Sequence, residues 1–481
     1  MRVLVTGATG FIGRALVPAL QREGHTVVAW TRSPARARAR LGAEIEASGP
    51  GSGPDALARA LESCDAVVNL AGEPILGGRW TAARRQVLVE SRVGFTSRLV
   101  DAMAAAPRRP RVLLSGSAVG YYGDRGDETL EEGSAPGRGF LADLCVDWES
   151  AARRAEPLGA RVVLLRTGVV LGRDGGALAQ MLPPFRLGLG GPVASGRQYL
   201  PWVHLHDLVA VIVSALADER MRGPINGVGP APATSREFAG ALGRALGRPA
   251  FLPVPSLALR ALFGQASEVL VASQRAVPAA LARLGFAFAF PTLDAALADV
   301  LGGTHVDIGP VSGPIDAGAS ELGKRYLGRR RPTRELRMTT TVRAPLDETF
   351  PFFSKAENLG LLTPAAMDFS IVGPPPAITE GTAIDYRIRV GLLPVAWRSR
   401  VARWAPGSGF VDFQEKGPYR AWWHEHAFRA AGPSTVMEDR VCYAPPFGPL
   451  GRLADRLLIV PALRRIFRHR ADVIRLRFGA S

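Results

Sequence analysis

Three glycines near the start of the chain have the spacing of a phosphate-binding turn. Gly7, Gly10 and Gly13 follow a short apolar strand candidate and precede an amphipathic helix pattern. The first glycine permits a tight turn, the second lets the backbone approach a pyrophosphate, and the third lets helix and strand pack closely. The helix N-terminus then offers free N–H groups and a positive dipole end. The alternative is a glycine turn that only packs. We expect a dinucleotide site built from Gly7, Thr9, Gly10, Phe11, Ile12 and Gly13.

The residue that follows the second predicted strand discriminates between the two nicotinamide dinucleotides. An acid there holds the ribose hydroxyls of NAD, whereas an arginine accommodates the additional phosphate of NADP. The strand candidate Thr26–Trp30 is followed by Arg32 and then Arg36, with no acid in reach. The sequence therefore predicts NADP(H) in preference to NAD(H). The alternative is that Arg32 is one more solvated arginine in an arginine-rich chain.

Small and hydroxylated residues follow the next two strand candidates. Asn69, Ala71 and Gly72 lie at or directly after the end of the strand candidate Ala66–Leu70, where small residues allow the backbone to contact adenine and ribose. Residues 114–124 follow the next strand, at the edge where open α/β sheets bind ligands. Within that stretch we expect Ser117 to face the substrate, and a serine that only caps the loop is the alternative.

The elements that must position these residues alternate between strand and helix. This alternation through residues 1–170 indicates a parallel, doubly wound sheet. The strand candidates are Arg2–Thr6, Thr26–Trp30, Ala66–Leu70, Arg111–Ser115 and Arg161–Arg166. The helix candidates are Gly13–Glu23, Asp55–Leu61, Ala82–Ala106 and Ala142–Ala155.

The rest of the chain divides by composition. Residues 171–301 are richer in glycine and proline and predict a small cap on the first domain, which spans 1–301. Residues 302–337 contain glycine, proline and a basic run, and predict a linker. Residues 338–481 predict a second domain that is rich in strands and closes with a basic helix at Asp455–Arg477.

Composition favours a cytoplasmic globular protein. A length of 481 residues exceeds one ordinary core. Three scattered cysteines argue against disulfides. No apolar run approaches the roughly 18 residues of a membrane span, and the first strand leaves no room for a signal peptide. The net charge of +16 is spread over arginines without interleaved aromatics. We therefore expect no nucleic-acid binding, and weak contact with a membrane surface stays open.

The N-terminal motifs resemble those of a known enzyme family. Residues 1–301 are similar to the extended and atypical short-chain dehydrogenase/reductases, in the epimerase-family (sugar-nucleotide epimerase-like) branch. The motifs include VTGATGFIG, VVNLAGEPI, GSAVGYYGDRGDE and SGRQYLPWVHLHDL. The resemblance implies a Rossmann-type fold and a family serine at Ser115 or Ser117. It also places Arg197 and His206 where relatives contact a nucleotide-sugar diphosphate. For His206, a helix-starting hydrogen bond with Asp207 is the alternative.

The chain departs from this family at the catalytic pair. Relatives carry Tyr-x-x-x-Lys, in which the lysine lowers the tyrosine pKa so that the phenol can move a proton near neutral pH. Alignment puts Leu141 at the tyrosine position and Cys145 at the lysine position, and the first 323 residues contain no lysine. Tyr121 or Tyr122 is the substitute proton donor, helped by Arg166 or by the nicotinamide charge. We expect Cys145 to be a small buried residue rather than a nucleophile.

The C-terminal segment resembles a second family. Residues 338–481 are similar to the START-like, polyketide cyclase and coenzyme Q-binding (SRPBCC) superfamily. The resemblance rests on Ala344–Phe350 with Phe352 and Phe353, on Glu380–Thr382, on Lys416–Tyr419 and on the terminal helix. It implies an α+β helix-grip fold, in which a curved antiparallel sheet wraps a long helix around a cavity for a lipophilic ligand. Five aromatic residues either line this cavity or only pack in the hydrophobic core: Trp397, Trp404, Tyr419, Trp422 and Trp423.

Two features of this segment leave alternatives open. Period-2 alternation puts Trp422, His424 and His426 on one strand face. The histidines either bind a polar ligand head or form a solvent-facing pair. The basic terminal helix is interpreted as a solvated face with an apolar stripe, and membrane docking is the alternative.

The sequence therefore supports two functional hypotheses. The first is an NADP-dependent oxidoreductase or epimerase-like enzyme that acts on a small hydroxylated or anionic substrate and is fused to a lipophilic-ligand domain. The second is a non-catalytic NADP(H)-binding sensor or scaffold, which the missing Tyr-x-x-x-Lys pair favours. No cysteine or carboxylate spacing supports zinc, so we expect no metal site. Oligomeric state and substrate identity stay open.

Overall fold

The protein contains two compact units in a computed structural model. The model describes residues 1–42, 44–53, 55–76, 78–173, 175–302, 306–315, 320–390, 393–446, 451 and 453–479. The N-terminal unit comprises Met1–Ala37 and Ile45–Gly302, and the C-terminal unit comprises Arg38–Glu44 and Gly303–Ser481. Each unit has its own sheet.

A seven-stranded parallel sheet forms the centre of the N-terminal unit, in the order β11-β7-β5-β4-β1-β2-β3. The strands of the unit are β1 (Arg2–Thr6), β2 (Thr26–Trp30), β3 (Glu46–Ser48), β4 (Ala66–Asn69), β5 (Val112–Ala118), β6 (Thr129–Leu130), β7 (Arg161–Thr167), β8 (Val169–Leu171), β9 (Tyr199–Leu200), β10 (Trp202–His204), β11 (Gly223–Gly227), β12 (Ala233–Thr234) and β13 (Arg275–Ala276). The predicted parallel, doubly wound sheet is confirmed. Its central strands are buried runs of valine and leucine, as expected of strands covered on both faces.

Helices connect these strands. They are α1 (Phe11–Arg22), α2 (Pro34–Leu41), α3 (Ala56–Leu61), α4 (Ala82–Val89), α5 (Phe95–Ala105), α6 (Phe140–Arg153), α7 (Gly176–Arg186), α8 (Leu205–Ala217), α9 (Ser235–Leu246), α10 (Ser256–Phe263), α11 (Glu268–Val271), α12 (Ala279–Arg283) and α13 (Leu293–Gly302). A π-helical turn at Glu90–Gly94 joins α4 to α5, so the predicted helix Ala82–Ala106 is nearly continuous.

The strand register brings the predicted site residues to one edge. Thr6 of β1 pairs with Asn69 of β4, and Asn69 pairs with Ser115 of β5. Farther along β5, Ser117 pairs with Arg166 of β7. The strand order reverses between β1 and β4, and such a switch point is where doubly wound sheets bind ligands.

The structure differs from the predicted cap at residues 171–301. Part of this stretch returns to the main sheet, because β11 pairs with β7 and buries Ile225 and Asn226. The remainder forms two-stranded pairs and a separate apolar cluster that includes Leu182, Phe238 and Leu297. The cap is therefore not one continuous insertion.

An eight-stranded antiparallel sheet forms the C-terminal unit, in the order β14-β15-β21-β20-β19-β18-β17-β16. The strands are β14 (Val306–Pro310), β15 (Arg334–Val342), β16 (Ser370–Ile371), β17 (Ala383–Val390), β18 (Leu393–Ala405), β19 (Gly409–Lys416), β20 (Ala421–Ala431) and β21 (Ser434–Ala444). The helices are α14 (Glu321–Arg329), α15 (Leu346–Phe353), α16 (Leu359–Leu362) and α17 (Val460–Phe478), and a π-helical turn at Asp455–Ile459 precedes α17. Leu463 and Phe467 of α17 pack in one cluster with Trp397 and Trp422 of the sheet.

The two faces of β20 are both covered. Trp422, His424 and His426 share the face toward α17 and are all buried, which excludes a solvent-facing histidine pair. Trp397, Tyr419 and Trp422 contact one another as core residues, and Trp423 lies on the opposite face.

The predicted linker is more ordered than the sequence suggested. Val306–Pro310 pairs with β15, and α14 covers the outer face of the sheet. Tyr326 of α14 stacks on Phe413 and hydrogen-bonds the backbone of Trp422. These contacts bury apolar surface that a free linker would leave exposed. Residues 303–305 and 316–319 of the predicted linker lie outside the described residues.

Among the described residues, no helix combines the length and apolar character needed to cross a membrane.

Candidate functional site

The glycine turn between β1 and α1 is tightly packed on its inner side. Gly7 has φ +68°, and a Cβ there would lie 2.7 Å from the carbonyl oxygen of Leu70. A Cβ on Gly13 would lie 2.6 Å from the Cα of Ala8. Both positions therefore require glycine, as the motif predicts.

The outer side of this turn is open to an anion. Gly10 is exposed and begins α1 without a side-chain cap, and the first turn of α1 contains no acid. Thr9 and Ile12 are half-buried beside it. Phe11 is also half-buried, and its ring lies against Gly172, Gly175 and Gly176. An uncapped helix N-terminus presents N–H donors and a positive dipole end, as a pyrophosphate requires.

A buried hydrogen-bond network holds the strand ends beneath this turn. Thr6 Oγ1 donates to Asn69 Oδ1 at 2.7 Å and accepts from the N–H of Ala71 at 3.1 Å. Asn69 Nδ2 donates to Thr96 Oγ1 at 2.9 Å and lies 3.3 Å from Ser115 Oγ. Both Asn69 and Ser115 are fully buried. Their side chains position the loop that carries Ala71 and Gly72, so direct ligand contact by the Ser115 hydroxyl does not agree with the structure.

Arg32 lies beyond the end of β2 with its side chain 90% exposed. Its guanidinium is 3.2 Å from the carboxylate of Glu73, in the loop after β4. Arg36 is also exposed, in the first turn of α2. The guanidinium groups of Arg32 and Arg36 therefore follow β2, and the carboxylate of Glu73, from another loop, faces Arg32.

The helix face that carries the catalytic pair in related enzymes is apolar here. A Cβ on Gly120 would lie 3.4 Å from Leu141 Cβ and 4.0 Å from Cys145 Sγ, so both side chains of α6 face the turn at Val119–Tyr122. Burial raises the pKa of the Cys145 thiol to about 11. The thiol is protonated at neutral pH, which agrees with the predicted small buried residue rather than a nucleophile.

Ser117 and Arg166 share a buried carboxylate that the sequence did not reveal. Ser117 Oγ donates to Glu149 Oε1 at 2.7 Å, and Arg166 donates to both oxygens of Glu149 at 2.8 and 2.9 Å. Burial lowers the pKa of Arg166, but the hydrogen bonds and negative charge of Glu149, together with Tyr122, outweigh burial and raise the pKa. Arg166 is only 2% exposed, so its guanidinium supports neighbouring side chains from within the core.

The two tyrosines proposed as proton donors lie in different environments. Tyr122 is fully buried, and its hydroxyl donates to Asn226 Oδ1 at 2.7 Å and accepts from Arg166 at 3.0 Å. Burial raises the Tyr122 pKa. Tyr121 is half-buried, with the Arg166 guanidinium 3.5 Å from its ring centroid. Tyr122 is a structural residue by these contacts, and Tyr121 alone of the pair retains solvent contact.

Comparison with known protein families assigns the N-terminal part of the chain to a family. The model of the NAD dependent epimerase/dehydratase family matches residues 3–226, and a domain of unknown function (DUF1731) matches residues 254–300. The epimerase family protein Mb2239 of Mycobacterium bovis is 46% identical over 296 residues, which cover 61% of this chain and 96% of that protein. The chain belongs to the epimerase family.

Solved structures match a similar share of the chain. The human epimerase family protein SDR39U1 (isoform 2), solved with NADPH, is 39% identical with a TM-score of 0.57, covering 63% of this chain and 99% of that chain. The UDP-glucuronic acid 4-epimerase from Bacillus cereus, solved with UDP-glucuronic acid and NAD, is 19% identical with a TM-score of 0.52, covering 63% and 98%. The second likeness shows the fold alone.

Arg92 is a candidate site residue of this epimerase-family chain that sequence reasoning missed. It lies in the π-helical turn, and its Nη2 donates to the carbonyl of Glu73 at 2.9 Å. A Cβ on Gly72 would lie 3.2 Å from its Cζ, and its charge acts on the Cys145 thiol. Arg92 thus brings a cation close to the residue that replaces the family lysine. In a chain with so many arginines, the sequence alone does not distinguish Arg92 from the others. Its position in the π-helical turn, which the structure shows, does distinguish it.

The two remaining predicted substrate contacts are exposed. The backbone N–H of Arg197 donates to Ser195 Oγ, and the Arg197 side chain is exposed. His206 is 62% exposed, and its N–H donates to His204 Nδ1, which caps α8. The buried Asp207 accepts from the N–H groups of Ala289 and Phe290, and its Oδ1 lies 3.7 Å from His206 Nδ1. Substrate contact by Arg197 and His206 stays a prediction for this epimerase-family chain.

Proposed function

We propose that the N-terminal unit binds NADP(H) and acts as an oxidoreductase or epimerase-like enzyme on a small hydroxylated or anionic substrate. The observation that carries the proposal is the open, uncapped N-terminus of α1 next to the exposed Arg32. A related human protein of 39% identity was solved with NADPH, which supports the same assignment.

In this proposal the phosphate-bearing parts of the cofactor contact two separate features. The pyrophosphate lies on the N–H groups that follow Gly10, and the additional 2′-phosphate lies near Arg32 and Arg36. The carboxylate of Glu73 competes for Arg32 when NADP(H) is absent. Ala71 and Gly72 supply backbone beside the adenine and ribose.

The proton-transfer role falls to Tyr121 in this proposal. Bound nicotinamide supplies or accepts the hydride. Tyr121 holds the exchangeable proton, and the guanidinium of Arg166 against its ring holds the phenol in position. Ser117 and Glu149 keep Arg166 in place. Arg92 adds a second cation near the position where relatives carry lysine.

A second candidate function is a non-catalytic NADP(H)-binding sensor or scaffold. The observation that favours it is the apolar pair Leu141 and Cys145 on α6, where the family's acid–base pair would stand. Under this hypothesis the cofactor is bound but not turned over.

We further propose that the C-terminal unit is a START-like module for a lipophilic ligand. The antiparallel sheet and the long helix α17, which pack through Trp397, Trp422 and Phe467, support this proposal. The small-molecule substrate, the absence of nucleic-acid binding and a weak membrane-surface contact also stay predictions.

One experiment separates the enzyme from the sensor. The full-length protein is titrated with NADPH and NADH by fluorescence, and is then screened with carbonyl compounds and nucleotide sugars for a change in nicotinamide absorbance. Binding with turnover supports the enzyme. Binding without turnover across the screen supports the sensor, and no binding rejects both.

A further inference from the structure

The C-terminal unit contains a buried cluster of two histidines and two aspartates between its sheet and α17. His424 and His426 lie on β20, Asp412 on β19 and Asp439 on β21. Asp412 pairs with His424 and His426 pairs with Asp439 in the strand register. Both histidines and Asp439 are less than a tenth exposed. The side chain of Asp412 is 19% exposed, so the cluster has one side accessible to solvent.

Three nitrogen and oxygen atoms of this cluster converge. Asp412 Oδ2 lies 3.3 Å from His426 Nε2 and 3.9 Å from His424 Nδ1, and one ligand atom from each of the three residues lies within 4.8 Å of the others. A tetrahedral ion with bonds of about 2.0 Å keeps its ligand atoms about 3.3 Å apart. The spacing therefore needs little adjustment to hold one ion.

Asp439 lies where it can set the tautomer of His424 that such a site requires. Its Oδ1 is 3.1 Å from His424 Nε2 and 2.9 Å from His426 Nδ1. If His424 Nε2 carries the proton, His424 Nδ1 directs its lone pair toward Asp412. His426 Nε2 hydrogen-bonds Asp412 Oδ2 at 3.3 Å and releases its proton when an ion takes that place. Carboxylates that accept from the far nitrogen of a metal-bound histidine orient the ring in this way.

Arg470 of α17 lies on the far side of the cluster. Its Nη2 is 3.3 Å from Asp439 Oδ1 and 3.0 Å from His426 Nδ1, not beside the nitrogen that faces Asp412. The guanidinium donates to His426 Nδ1 and balances the charge of Asp439 without occupying the space among the three converging atoms. Asp439 Oδ2 and Arg470 Nε are buried with no hydrogen-bond partner, so the network around Asp439 is incompletely satisfied.

We propose that Asp412, His424 and His426 bind a divalent transition-metal ion, with Asp439 and Arg470 as supporting residues. Two imidazoles and one carboxylate suit zinc, iron, cobalt or nickel and not calcium or magnesium. Three protein ligands leave a coordination position for water or for a polar ligand group, on the exposed side of Asp412. This proposal departs from the sequence-based expectation of no metal, because the ligands come from two strands without a recognisable spacing.

The test uses the full-length protein, stripped with a chelator and titrated with Zn²⁺ by calorimetry, and with Co²⁺ by visible absorbance. We expect one tight site per chain, lost in His424→Ala and in Asp412→Asn. The control His25→Ala removes a half-buried histidine of the N-terminal unit and should retain the site. Asp439→Asn should weaken binding about 10- to 100-fold.

A folding defect would not obscure the result. Asp412→Asn changes a partly exposed residue with little change in shape, and circular dichroism checks each variant. Zn²⁺ should also raise the unfolding temperature of the stripped wild-type protein, which needs no variant. Absence of a tight site in the wild-type protein, or equal affinity in folded Asp412→Asn and His25→Ala, would overturn the proposal.

Discussion

The hydroxyl of Ser117 donates a 2.7 Å hydrogen bond to the carboxylate of Glu149, and both side chains are buried. The same carboxylate receives two hydrogen bonds from Arg166. The serine that the sequence predicts to face the substrate is therefore already engaged, and its partner Glu149 organises the core beneath the site.

Loss of Glu149 should destabilise the N-terminal unit strongly. Glu149→Ala leaves the buried Arg166 without its counter-ion, and breaking a buried pair from one side costs about 3–5 kcal/mol of unfolding free energy. Urea unfolding monitored by circular dichroism measures the change. Asp101→Ala removes an exposed partner of Arg154 and should change stability by less than about 1 kcal/mol. Equal stability of the two variants would contradict the role of Glu149.

The two neighbouring tyrosines should respond differently to loss of their hydroxyls. Tyr122→Phe removes the buried hydroxyl that hydrogen-bonds Asn226 and Arg166. This loss should lower the free energy of unfolding by about 1–3 kcal/mol. Tyr121→Phe should lower turnover of a substrate found by screening about 100-fold or more and leave NADPH affinity unchanged. Thermal unfolding and steady-state kinetics distinguish the two. Full turnover in Tyr121→Phe would eliminate that phenol as the proton donor.

Gly13 should be intolerant of even one methyl group. A Cβ at this position would collide with the backbone of Ala8, so Gly13→Ala should lower the unfolding temperature and abolish NADPH binding. Gly133→Ala is the matched control, because a Cβ there meets no atom within 4 Å. Retention of wild-type NADPH affinity in Gly13→Ala would show that the turn is not the phosphate site.

All three cysteines should be inert in the folded protein. Cys64, Cys145 and Cys442 are buried, and burial raises their pKa values to about 11, 11 and 12. Because the reactive thiolate forms only as pH rises toward these values, the folded protein should give no reaction with a thiol reagent at pH 8. The unfolded protein should give three equivalents. Rapid labelling of Cys145 in the folded protein would reopen its role as a nucleophile.

The parallel sheet could be predicted from sequence because its strands are continuous apolar runs between helical segments. The edge strands β11 and β14 could not be predicted from the sequence. Residues 223–227 and 306–310 contain glycine and proline and little apolar periodicity, and they become strands because a neighbouring strand supplies hydrogen bonds. The linker helix α14 is likewise fixed by long-range contact, through Tyr326 against Phe413.

The candidate site divides in the same way. The role of Gly7, Gly10 and Gly13 could be predicted from their local spacing. In the structure a side chain at Gly7 or Gly13 would collide with backbone atoms, and Gly10 is exposed. The direction of the Ser115 side chain depends on strand register, and the links from Glu149 to Ser117 and Arg166 join three separate elements. Such contacts leave no trace in one sequence.

The central claim is NADP(H) binding through the α1 N-terminus and Arg32, and a comparison of NADPH and NADH affinity tests it most directly. Fluorescence titrations of the wild-type protein, Arg32→Ser and the distant control Arg154→Ser measure both affinities. We predict that the wild-type protein and Arg154→Ser bind NADPH at least about 10-fold more tightly than NADH, and that Arg32→Ser loses most of this preference. Equal affinity for both cofactors in the wild-type protein, or no binding of either, would contradict the account.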